Sequence, residues 1–275
     1  MIGVAGVDNG RRAEEAIRAW SPCAGLVAAA IVATLSLASA AQERSSLTVS
    51  AAISLADALQ EVAVAYARAG GADVRLNVAG SNALARQIVM GAPVDVFVSA
   101  DDAQMDLVAA AGALMPGSRV AVVGNQLAIV AAPERLAEVR AGFPRAAPAI
   151  RRLALGDPAA VPAGVYAREY LEREGLWTLY APRVVPLPNV RAALAAVENG
   201  SADAAIVYAT DARTAGRAAV AALIPAGRAP AVVYPAAIVA RSTHAPEAAR
   251  FLEFLRSPEA ERIFVRHGFL PRPER

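Results

Sequence analysis

The chain has 275 residues, 27 Lys+Arg against 25 Asp+Glu for a formal charge of +2, and 56% hydrophobic content. That length suits one large domain or two of moderate size with ample core material, and the near-balanced charge, without a basic run, excludes nucleic acid as partner. Lysine is absent and only His244 and His267 occur, which removes Schiff-base and P-loop lysines, Ser-x-x-Lys chemistry and histidine-rich metal sites together.

The first feature in chain order is CAGLVAAAIVATLSLASA, following Arg18 and ending in Ala38-Ser39-Ala40, the small-x-small pattern of a signal-peptidase site. Residues 1–40 read as a signal peptide cleaved after Ala40, with export to the periplasm. The run is short for a membrane span, and no further long apolar segment follows. Cys23 lies inside this leader behind Ser21-Pro22, unlike a lipoprotein box, so the mature chain is free of cysteine, disulfides and thiolate chemistry.

From Ser46 onward, apolar strand-like runs (LTVSAA, DVRLNVAG, VDVFVSA, LAIVAA, RLALG, VVPLP, AAIVYAT, AVVYPAAIVA) alternate with segments of helical periodicity. The pattern predicts an α/β chain with mostly parallel sheets. In the first helix Leu55, Leu59, Val62 and Tyr66 share a face, Ser54 and Asp57 form a capping box, and Gly70 ends it. Three more helices follow the same pattern: Ser81 with ALARQIVM up to Gly91, VYAREYLERE from Gly164 up to Gly175, and VRAALAAVEN from Val190 up to Gly200.

Each of these helices leaves a strand within a few residues, which places helix N-termini beyond the carboxyl ends of strands, the usual ligand crevice of an open α/β sheet. Converging helix starts present unpaired N–H groups and positive dipole ends, and so suit an anion. Ala163, with Pro162 before it and Gly164 after it, leaves its backbone N–H open to close approach. A serine ahead of a helix is most commonly a plain N-cap, and Tyr208 at a strand end is commonly packing. A secreted hydrolase using Ser81 of AGSNA as nucleophile is the enzyme alternative; it lacks the second glycine of a G-x-S-x-G elbow and an acid to orient a histidine.

The stretches TVSAAISLADAL, AGSNALARQIVMGAPVDVFVSAD, LALGDPAAVPAGVYAREYL, VRAALAAVENG and AAIVYATDA together resemble the periplasmic molybdate-binding proteins of ABC-type importers, which have a type II solute-binding fold. The resemblance implies a non-enzymatic, monomeric protein without cofactor that captures molybdate or tungstate and delivers it to a membrane permease. It further implies that Ser54 and Ser81 hold the oxyanion through hydroxyl and N–H, Ala163 and Val190 through N–H, and Tyr208 through its phenol; a metal is met only through the oxyanion oxygens. The implied topology is two lobes, 45–124 with 231–275 and 125–230, joined by crossings near Gly124 and Pro230. The chain departs from the family at Ile53, at Gly80 and Asn82 around Ser81, and at Asn189.

None of the five matched positions carries a positive charge, so neutral donors must hold the anion, and a donor-only set favours an oxyanion without a proton. Molybdate, tungstate and sulfate meet that condition; monohydrogen phosphate does not. Asp211, the acid nearest Tyr208 in sequence, would weaken this expectation if it faced the anion.

Overall fold

The computed structural model describes residues 46–143 and 150–273; the signal peptide expected over 1–40 and its cleavage after Ala40 lie outside the described residues. Strand β1 (Ser46–Ala52) runs through a 3-10 turn, Ile53–Leu55, into helix α1 (Ala56–Arg68). β2 (Asp73–Ala79) leads through Gly80 to α2 (Ser81–Val89), and β3 (Val96–Val98) to α3 (Asp102–Ala110). β4 (Val120–Asn125), β5 (Leu127–Ala131), α4 (Leu136–Gly142), β6 (Leu153–Gly156), α5 (Pro162–Arg173) and α6 (Trp177–Tyr180) follow. Next come β7 (Val184–Leu187), α7 (Val190–Glu198), β8 (Ala204–Tyr208), the short α8 (Ala209–Ala212) and β9 (Ala219–Leu223). β10 (Val232–Ile238), α9 (Ala245–Leu255) and α10 (Pro258–Arg266) complete the chain.

The strands form two five-stranded sheets, ordered β2-β1-β3-β10-β4 and β7-β6-β8-β5-β9. With helices against both, the architecture is the expected two-lobed α/β fold. The sheets are mixed rather than mostly parallel. β1 lies parallel to β2 and β3, and β6 parallel to β7 and β8, while β10 and β5 run antiparallel to both of their neighbours. The parallel neighbours are linked by helical crossovers, as parallel pairing requires. β5 and β10 each arrive directly from the other sheet, β5 after the single residue Gln126, so no crossover constrains their direction.

Local chemistry explains the helices. Leu55, Leu59, Val62 and Tyr66 of the first are all buried, as their spacing predicts, and the Tyr66 hydroxyl donates to Glu247 Oε1 at 2.5 Å, tying α1 to α9. The Ser54–Asp57 capping box does not form: the intervening 3-10 turn moves the N-cap to Leu55, and no side chain caps it. α5 begins at Pro162, two residues before the predicted Gly164, because proline fits the first helical position, where no N–H is needed.

Gly164 serves packing. A Cβ there would lie 1.8 Å from the carbonyl oxygen of Gly156, so α5 can sit this close to the end of β6 only with glycine. Gly164→Ala must push the helix off the strand, and a loss of about 1–3 kcal/mol is expected in urea unfolding; an unchanged midpoint would contradict this account of the α5–β6 contact.

Candidate functional site

Six strand-to-helix junctions converge on one small pocket. Ala52, Ile53 and Ser54 contribute from the turn after β1; Ala79, Gly80 and Ser81 from the start of α2; and Ala100 from the loop after β3. From the second sheet come Val161, Pro162 and Ala163 at the start of α5, Asn189 and Val190 at the start of α7, and Tyr208 at the end of β8. The structure thus brings Ser54, Ser81, Ala163, Val190 and Tyr208 together, and all five are buried. Ile53 and Asn189, where the chain departs from the family pattern, also line the pocket. Its cavity volume of about 10 Å³ is on the order of the roughly 10–15 Å³ that holds one water molecule, so the site suits a small ion and no larger organic ligand.

The backbone donors follow from helix geometry. The first residues of a helix have no intrahelical acceptor for their N–H groups. In α5 Pro162 has no N–H, so Ala163 carries the first donor, ahead of Gly164, which already bonds Val161 O. In α7 the Asn189 side chain caps the N–H of Ala192 at 2.9 Å, leaving those of Val190 and Arg191 outside the cap. Gly80 lets the sheets approach here: a Cβ would lie 2.9 Å from Pro188 O on the opposite wall.

The hydroxyls are placed by neighbours that sequence spacing does not reveal. Ser81 Oγ does not cap its helix; it accepts the N–H of Ala100 at 3.0 Å, which leaves its proton free to donate. Ser54 Oγ lies 3.0 Å from the hydroxyl of Tyr234 on β10. The Tyr208 hydroxyl is buried and has no hydrogen-bond partner among the described residues. Burial raises its pKa well above the usual value, so the phenol remains protonated and able to donate. An unmatched buried hydroxyl costs about 1–3 kcal/mol, so this phenol has a hydrogen bond left to offer into the pocket it lines.

No lining side chain is charged. Charge gathers outside the wall, where Arg191, next to Val190, donates to Asp211 Oδ1 and, at 2.7 Å, to Asp57 Oδ2. Asp57 belongs to α1 and Arg191 to α7, so this guanidinium bridges elements of the two sheets. Asp211 does not line the pocket: it is fully buried, its pKa is raised to about 6 by that burial, and Arg191 opposes the shift. Asp101, behind Ala100, is likewise raised to about 6, chiefly by desolvation, while its side chain caps α3 through the N–H of Gln104.

The hydrolase alternative fails on geometry. His244 bonds Asp95 and His267 bonds Glu61, and neither histidine lines the pocket that holds Ser81. Among the described residues no group of His, Cys, Asp or Glu is placed to hold a metal ion, and no helix is long and apolar enough to cross a membrane. Sequence reading missed Tyr234, Arg191 and Ala100. Tyr234 had one weak signal, a phenol in the otherwise apolar run AVVYPAAIVA.

Residues 47–270 match the bacterial extracellular solute-binding proteins. The molybdate-binding protein ModA of Escherichia coli strain K12 is 39% identical over 230 residues, covering 81% of this chain and 88% of that protein. Its Haemophilus influenzae counterpart is 37% identical over 246 residues, covering 88% and 95%. Among solved structures, the periplasmic molybdate-binding protein of Azotobacter vinelandii superposes with a TM-score of 0.71 at 25% identity, covering 83% of this chain and all of that one.

The two ion pairs of Arg191 should differ sharply in weight. Asp57 is 55% exposed and Asp211 wholly buried, so Asp57→Asn is expected to cost under about 1 kcal/mol in urea unfolding at neutral pH, and Arg191→Met about 3 kcal/mol. Asp211 has a raised folded pKa, so its contribution to stability is lost as pH rises through about 6; without Arg191 that loss deepens, and the Arg191→Met deficit should be small in acid and grow toward neutrality. Equal effects of the two substitutions would refute this assignment.

Proposed function

The chain belongs to the bacterial extracellular solute-binding proteins, which are not enzymes, and on that premise we propose that it captures molybdate, with tungstate as a second ligand, and delivers it to the permease of an ABC importer. The observation that carries the reading is the partnerless Tyr208 hydroxyl in a neutral pocket where helix starts converge. The donor set is the hydroxyls and N–H groups of Ser54 and Ser81, the N–H groups of Ala163 and Val190, and the phenol of Tyr208. Each hydrogen bond to the charged oxyanion contributes about 1.5–3 kcal/mol before the anion's desolvation is subtracted.

Binding in this reading closes two lobes, 45–124 with 231–275 and 125–230, around the ion. Ser54 and Ser81 belong to the first and Ala163, Val190 and Tyr208 to the second, so the oxyanion itself joins them. The protein acts as a monomer in the periplasm, reached through the signal peptide cleaved after Ala40. Neutral donors also suit sulfate; the choice of molybdate rests on the relatives and on the family resemblance of the sequence.

Calorimetric titration with molybdate, tungstate, sulfate and phosphate in parallel tests the proposal. Molybdate at 100 times its Kd should stabilise the protein by about 2.7 kcal/mol, with sulfate and phosphate far weaker at equal concentration; no stabilisation by any tetrahedral oxyanion would sink it. Tyr208→Phe separates binding from folding, because removing an unmatched hydroxyl should leave the unliganded protein as stable or about 1 kcal/mol more so, while molybdate affinity falls about tenfold or more. Undiminished affinity in that variant would remove Tyr208 from the donor set.

A further inference from the structure

A serine hydroxyl can donate or accept, so lining a pocket with serines does not by itself select a deprotonated ion. We propose that Asn125 and Tyr234 form a hydrogen-bond relay that forces the Ser54 hydroxyl to donate into the pocket, which makes both residues determinants of specificity for oxyanions without a proton although neither lines the site. The inference rests on the oxyanion-binding reading above and extends it to how the site reads protonation.

The direction of the relay follows from its starting point. Asn125 is the last residue of β4, buried where the chain passes to the other sheet, and its Oδ1 accepts the N–H of Gln126 at 2.8 Å. That bond identifies the oxygen of the amide and leaves Nδ2 as donor on the other side. The two Nδ2 protons go to Thr210 Oγ1 at 2.9 Å and to the Tyr234 hydroxyl oxygen at 3.2 Å. Tyr234 is completely buried, with its ring against Tyr208 and Phe269. Since its oxygen accepts from Asn125, the acceptor left for its own proton among the described residues is Ser54 Oγ at 3.0 Å. A buried phenol proton pointed elsewhere would go unmatched, at a cost no neighbour offsets; burial also keeps that proton on the oxygen. Ser54 therefore accepts from Tyr234 and has its single proton left for the pocket.

Ser81 reaches the same state by a shorter route, accepting from the N–H of Ala100. With both serines set as donors, Tyr208 protonated and the remaining groups backbone N–H, a monohydrogen oxyanion brings a proton for which the matched donors offer no acceptor. A site built of donors rejects such a ligand because a buried proton and a buried lone pair are both left unpaired. Sulfate and monohydrogen phosphate are the probes that isolate this effect: both are tetrahedral dianions of similar size, and they differ by that proton.

The test measures displacement of bound molybdate by sulfate and by phosphate at mildly alkaline pH, where phosphate is chiefly the monohydrogen dianion, in the unmodified protein, Tyr234→Phe, Ser54→Ala and the double variant. The unmodified protein is expected to prefer sulfate, Tyr234→Phe to reduce that preference about tenfold, and the same substitution to change nothing further once Ser54 is alanine. Asn125→Asp supplies a second variant. Its carboxylate accepts where the amide donates and so reverses the relay, and its added charge acts alike on both dianions, so the ratio should fall in the same direction. Equal weakening of sulfate and phosphate, or an equal shift in the Ser54→Ala background, would show that these residues only support the fold and overturn the relay. Absence of molybdate binding by the unmodified protein would overturn the functional reading as well, whereas binding with an unmoved ratio overturns the relay alone.

Discussion

A doubly charged anion that leaves water for a pocket without a cation must exchange its hydration shell for an equally dense set of fixed donors, and in the proposed reading most of this fold serves to place them. Helix starts are the cheapest source of such donors, because their first N–H groups have no intrahelical acceptor and point along the axis with the positive end of the dipole. Each parallel half-sheet delivers helix starts to the same edge, from β1 and β2 on one side and from β6 and β7 on the other. The antiparallel strands β10 and β5 carry the chain between the sheets and complete the wall, β10 through Tyr234 behind Ser54 and β8, paired to β5, through Tyr208.

Stability is given up at the site to obtain this arrangement. The Tyr208 hydroxyl is buried without a partner, and Asp101 and Asp211 are held in surroundings that raise both pKa values to about 6. Local departures of this kind are expected where a fold serves binding. Arg191 lies one residue beyond a lining position, yet its guanidinium turns away to Asp211 and Asp57. A guanidinium inside the pocket would attract any anion; placed outside, it bridges elements of the two sheets.

The parts of this design that depend on local sequence are legible in the sequence alone. Gly70, Gly91, Gly175 and Gly200 stand where the helical pattern stops, and all take positive φ in the structure. The sequence pattern puts Ser54, Ser81, Ala163, Val190 and Tyr208 at helix starts and a strand end, and those junctions share one pocket. What depends on distant contacts was not legible. Ser54 follows the pattern of an N-cap, and only the 3-10 turn and a hydroxyl 180 residues away explain why it is free for another task. Asn125 and Tyr234 lie 109 positions apart, and no periodicity couples them. The pattern of strand runs also passed over β4 and β9; the alternation it relies on is blurred in VAVVGN and AVAAL, where small and apolar residues follow one another.

The central claim is that this neutral pocket, and no cationic surface, holds the oxyanion. Crystals of the protein grown with molybdate, with molybdenum located by anomalous scattering, test it most directly. The account predicts a single strong peak enclosed by Ser54, Ser81, Ala163, Val190 and Tyr208, with an oxyanion oxygen at hydrogen-bond distance from the Tyr208 hydroxyl and no guanidinium in contact. A peak beside Arg213, Arg266 and His267, in the basic pocket on the far side of Ser54, with the neutral pocket empty, would contradict it.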